Sequence, residues 1–129
     1  MFDESIIVVV ARGVGGTGDV KLSPANCWLT NLSIAVQNDE DSILKYYLYY
    51  FLKSGNLRSL DSGSAQSQIT INALSQVPVV IPSMEIQKRF DKILNGIFTQ
   101  KEVLEKQNVS LKEARELLLP RLMDGRIEV

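Results

Sequence analysis

Residues 86–118 read IQKRFDKILNGIFTQKEVLEKQNVSLKEARELL, and the spacing of their apolar side chains decides the fold. In a heptad register with Phe90 at position a, the a positions are Phe90, Ile97, Leu104, Leu111 and Leu118, and the d positions are Ile86, Ile93, Gln100, Gln107 and Ala114. Every a position is large and apolar, so the spacing predicts one long helix. At 1.5 Å per residue it would extend on the order of 50 Å, further than a small domain can cover. Its length favours pairing with another helix over folding back on its own domain. Gln100 and Gln107 weaken a purely apolar seam, and a buried amide sets register and partner choice. Ser83 with Glu85 supplies a start signal, and Pro120 after Leu117, Leu118 and Leu119 is read as the stop. Gly96, at about 1 kcal/mol relative to Ala, marks a close helix crossing or a bend.

Upstream of this rod the pattern changes to short strands. Ile6 to Ala11 is a continuous β-branched run, predicted as a strand covered on both faces. Gly13-Val14-Gly15-Gly16-Thr17-Gly18 follows it and formally fits a dinucleotide-binding fingerprint. That fingerprint needs a helix to open at once, whereas Asp19 to Pro24 alternates with period two and predicts a second strand and a turn. The glycines are therefore read as a hairpin loop, or as a turn that lets backbone approach a phosphate or base beside Arg12, Thr17 and Lys21. Further strands are expected at Cys27 to Thr30 and Leu32 to Gln37. Ser42 is placed as cap of a helix from Ile43 to about Lys53, closed by Gly55, with Leu44, Tyr47, Leu48, Phe51 and Leu52 on its buried face and Tyr46, Tyr49 and Tyr50 towards the edge. Leu57 to Leu60 reads as a helical turn carrying Arg58. Asp61 to Gln68 is a polar loop, equally suited to base edges and to plain solvation. Ile69 to Leu74 is read as a short strand and helical turn, and Val77 to Pro82 as an edge strand leading into the rod.

The bulk composition narrows the function. The chain has 129 residues, a net charge of −1, one cysteine and no histidine, which removes internal disulfides, the usual zinc sites and histidine-based triads. Residues 1–82 carry five Lys or Arg against seven Asp or Glu, and residues 83–129 carry nine against eight, so there is no basic tail. Contact with nucleic acid would have to come from a few placed groups. No run of 18 apolar residues and no leader pattern is visible, and a cytoplasmic protein without a membrane span is expected. No cofactor or metal site is expected.

Six weak motifs stand in a fixed order: Val9 to Gly18, Tyr46 to Lys53, Gly63 to Gln68, Val77 to Pro82, Glu85 to Phe90, and Leu117 to Ile127 with its Leu-Leu-Pro-Arg-Leu-x-x-Gly-x-Ile. In this order they resemble the specificity subunit of type I restriction-modification enzymes. The resemblance implies an α+β chain: residues 1–82 as part of one DNA target-recognition domain, a twisted β-sheet with short helices, and residues 83–129 as a long coiled-coil spacer helix. It implies double-stranded DNA, methyltransferase subunits and restriction subunits as partners, with no catalysis by the chain itself. The first part of the recognition domain and the other half of the subunit are not matched, so both a fragment and a homodimer formed through the rods fit. A coiled-coil assembly module with a recognition domain that no longer binds DNA is the alternative. Chemistry and loop position nominate Arg12, Lys21, Lys53 and Arg58 for phosphates, Thr17 beside the glycine turn, and Asn31, Gln66 and Gln68 for bases. Ile86, Phe90, Ile93, Ile97, Leu104, Leu111 and Leu118 are nominated for helix pairing.

Overall fold

A computed structural model describes residues 1–13, 15–61 and 65–125. Val14 of the glycine run, Ser62, Gly63 and Ser64 of the polar loop, and Ile127 of the terminal motif lie outside the described residues. The order of elements is strand β1 (Ile7–Val10), strand β2 (Val20–Leu22), strand β3 (Ser33–Val36), helix α1 (Lys45–Ser54), a 3-10 turn (Leu57–Leu60), helix α2 (Ile71–Ser75) and helix α3 (Met84–Met123). The chain is therefore α+β, with a small sheet, short helices and one 40-residue helix. It divides into two compact units, Met1–Asp91 and Lys92–Val129.

The first unit is built around β1, the middle strand of a sheet ordered β2-β1-β3, antiparallel on both sides. A central strand covered on both faces needs apolar side chains at successive positions rather than alternate ones. Ile7, Val8 and Val9 supply them, and all three are buried. In register, Val9 faces Val20 on one side and Ile34 on the other. Leu48, Tyr49 and Leu52 of α1, with Ala11, Val20, Ile43, Leu57 and Ile69, complete the buried apolar set of this unit among the described residues. Among sheet and helix contacts, α1 lies against β2.

Several sequence expectations are corrected here. Cys27 to Thr30 forms no strand: Cys27 makes an isolated bridge to Phe2, and Asn26 before it takes a positive φ of 56°, which breaks extended pairing. Val77 to Pro82 pairs with no strand among the described residues; its prolines lack ladder donors, and it runs as an unpaired connection whose Val80 carbonyl accepts from the Tyr47 hydroxyl at 2.7 Å. Ser42 does not cap α1, because Asp39 engages its hydroxyl at 2.9 Å, and the helix begins two residues later than expected with Leu44 at the cap position. Tyr49 is buried rather than marginal, whereas Tyr47 and Phe51 are half-buried. Pro120 does not stop α3, which continues to Met123. One missing backbone donor is tolerated within an established helix, and the chain leaves the helix at Gly125, in the left-handed region at φ 70°.

Within the first unit, the start of α3 is held by the side chain of Gln87 and then by that of Phe90. Gln87 is fully buried. Its Oε1 accepts from the Leu44 N–H at 2.8 Å, and its Nε2 donates to the Ser42 carbonyl at 3.2 Å and the Pro82 carbonyl at 3.0 Å. One amide thus satisfies an otherwise uncapped first donor of α1 and two loop carbonyls. Phe90, one turn on, sits edge-on to Tyr47 and Tyr50 at centroid distances of 6.2 and 6.1 Å. Gln87→Met keeps the volume but strands all three backbone groups, and should lower unfolding stability by about 2 kcal/mol in urea titration. A change within a few tenths would show that water replaces the amide freely.

In the second unit the helix carries apolar side chains in solvent. Ile93, Ile97, Leu104, Leu111 and Leu118 are exposed, from 44% at Leu118 to 67% at Leu111. A Cβ added at Gly96 would meet nothing within 4 Å.

Candidate nucleic-acid interface

At one end of the sheet three loops meet. The hairpin between β1 and β2 turns through Gly15 and Gly18, at φ 80° and 87°, a region that only glycine enters at low cost. Within this turn the Thr17 hydroxyl donates to the Gly13 carbonyl at 3.0 Å, so Thr17 is buried and holds the turn. The 3-10 turn packs directly on Gly18: a Cβ there would lie 2.9 Å from the Arg58 backbone nitrogen and 3.2 Å from the Leu57 carbonyl carbon. That contact places Arg58 over the hairpin. Its guanidinium donates to the Gly15 carbonyl at 3.2 Å and pairs with Asp19 at 3.4 Å, an exposed pair of small energetic worth.

The third loop leads from Asp61 to α2. Asp61 accepts from the Ser67 hydroxyl at 2.5 Å and from the Gln68 N–H at 3.0 Å, which draws the loop back beside the 3-10 turn. Gln68 then bridges to Arg12 through the backbone, and the Arg12 guanidinium donates to Gln68 Oε1 at 2.7 Å. Gly15, Thr17, Arg58, Asp61 and Ser67 line a shallow polar pocket of about 160 Å³. Four nominated residues, Arg12, Thr17, Arg58 and Gln68, are thus brought together.

The remaining nominees are more dispersed. Asn31 is exposed on the turn before β3, next to Leu32, whose carbonyl accepts from the Arg12 N–H at 3.2 Å. Gln66 is exposed on the third loop. Lys21 is exposed on β2, opposite Val8. Lys53 closes α1 and donates to the Tyr49 hydroxyl at 2.8 Å. This bond, and then the charge interaction with the same phenol, raise the Lys53 pKa above its ordinary value, so it stays a cation. Asp61 and Ser67, which shape the third loop, were not singled out by the sequence. Their only signal was an aspartate opening a run of small polar residues. Among the described residues, no three metal-ligating side chains converge.

A cluster of arginine guanidinium, glutamine amide and glycine backbone offers the donors and acceptors that recognition of a polar partner uses. Comparison with known proteins points the same way: the profile described as "Type I restriction modification DNA specificity domain" matches residues 1–113. The chain belongs to this specificity-domain family. It is also similar to the type I restriction enzyme HindI specificity subunit of Haemophilus influenzae, 34% identical over 97 residues that cover 71% of this chain and 21% of that protein. The chain therefore spans about a fifth of the length of that relative. The family match takes in the sheet, the three loops and most of α3.

The glycine turn gives this specificity domain a sharp test. Gly18→Ala meets both a strained φ and the backbone of the 3-10 turn, and should cost more than about 2 kcal/mol. Gly15→Ala has a similar φ but open space, and should cost only about 1 kcal/mol. Paired denaturant titrations would show the difference; equal losses would mean that the 3-10 turn does not rest on the hairpin.

Proposed function

We propose that this chain is the DNA-reading part of a type I specificity subunit, non-catalytic itself, that delivers methyltransferase and restriction subunits to a double-stranded DNA sequence. The observation that carries the reading is the meeting of Arg12, Arg58, Gln68 and the glycine turn on one edge of a domain whose family is a DNA specificity domain. In this reading residues 1–82 form the recognition portion and residues 83–129 the spacer helix. Arg12 and Arg58 engage phosphates, with Lys21 and Lys53 as outlying cations, and the exposed Asn31 and Gln66 approach base edges.

Four cations limit the electrostatic contribution. Since each phosphate neutralised adds a salt slope of about −0.9, log affinity against log salt should be no steeper than about −4. A mobility-shift series on mixed duplexes across salt concentrations checks this. Complete absence of binding at low salt would favour the other reading, an assembly module whose recognition domain is idle.

The exposed stripe on α3 supports an assembly role in either case. Ile93, Ile97, Leu104, Leu111 and Leu118 recur at heptad positions and lie in solvent. A second copy of this helix, giving a homodimer, would cover them, as would a matching helix of a longer subunit. Sedimentation equilibrium should show a dimer that Leu104→Lys converts to monomer, because a charge in the seam is desolvated without a partner. Unchanged mass in the variant would mean that the seam lies on another face.

A further inference from the structure

We propose that Gln68 is a positioning residue: it holds the Arg12 guanidinium as a sequence-independent clamp on a DNA backbone phosphate, and is not itself a reader of bases. The proposal rests on the DNA-binding reading above and goes beyond it in assigning the pair its task. A glutamine that reads adenine uses both ends of its amide, Oε1 to accept and Nε2 to donate. Here Oε1 already accepts from Arg12 at 2.7 Å. Beyond this bond the pair's hydrogen-bonding groups are mostly donors, the remaining guanidinium N–H groups and the Gln68 NH2, against one further lone pair on Oε1. A donor-rich pair fits an acceptor-only partner, and the phosphate oxygens are acceptors present on every duplex.

The framework around the pair agrees with a fixed clamp. The Arg12 N–H donates to the Leu32 carbonyl at 3.2 Å, and the Ile69 N–H donates to the Ala11 carbonyl at 2.8 Å. The Gln68 N–H is held by Asp61 at 3.0 Å. Both backbones are therefore pinned, and the side-chain bond between the two residues reduces the entropy lost when the guanidinium engages a phosphate. The Asp61 carboxylate has its two oxygens engaged by Ser67 and Gln68, so it acts through the loop. Arg58, tied to the glycine turn, adds a second cation along the same edge.

A double-mutant cycle on the full chain tests the assignment. Arg12→Met, Gln68→Met and the double variant are compared for affinity to a panel of unrelated duplexes across salt concentrations, with thermal melting to confirm folding. The clamp predicts that Gln68→Met weakens binding several-fold and equally on every duplex, and lowers the salt slope by about 1, as Arg12→Met does. It also predicts that the double variant binds no worse than Arg12→Met. A Gln68→Met loss that differs between duplexes, or that adds to the Arg12→Met loss, would overturn the clamp while leaving DNA binding intact. Failure of the parent chain to bind any duplex would overturn both.

Discussion

The buried amide of Gln87 is the contact on which the arrangement of the first unit depends. Two helices and the connection between them meet at this side chain, and it pairs backbone groups that helix geometry and the connection leave open. An apolar residue of the same size would fill the space and leave those groups unsatisfied. A charged one would carry a desolvation cost without an opposite charge to offset it. Only an amide offers an acceptor and two donors at once. By fixing where α3 begins, Gln87 also brings Phe90 against Tyr47 and Tyr50, so the aromatic content of α1 is used on the same side.

A second constraint operates at the other end of the sheet, where Gly18 is in contact with the 3-10 turn. The absence of one Cβ allows Arg58 to lie across the hairpin, and the Asp61 carboxylate after the 3-10 turn accepts from the Gln68 N–H. The cluster at Arg12 is thus a product of close backbone approach. Its members are distant in sequence, Arg12 and Gln68 being 56 residues apart. Loops braced by a rigid sheet in this way can change individual side chains without disturbing the core beneath them.

Legibility in the sequence followed the range of the interactions. Period-two and β-branched runs located β1 and β3, and the apolar heptad located α3, because these patterns are local consequences of burial. The family resemblance, and the α+β class it implies, were legible instead from the order of six motifs along the chain. What failed was decided by partners outside the local pattern. Ser42 looked like a cap until Asp39 took its hydroxyl, and Tyr49 looked marginal until the fold covered it. Val77 to Pro82 had strand composition but no neighbour to pair with among the described residues, and Pro120 was given more weight as a helix stop than an already formed helix allows. The nominated residues were chosen by type and loop position, which could identify Arg12 and Gln68 separately but not that their side chains bond.

In the proposed reading, the edge formed by the three loops is the surface that meets DNA. Amide chemical-shift mapping of the isotope-labelled chain during titration with duplex DNA tests it most directly. The account predicts perturbations concentrated at Arg12, Gly15 to Gly18, Arg58 and Ala65 to Gln68, with Asn31 beside them. Shifts confined to α3, or spread evenly over the exposed lysines with those loops unmoved, would contradict it.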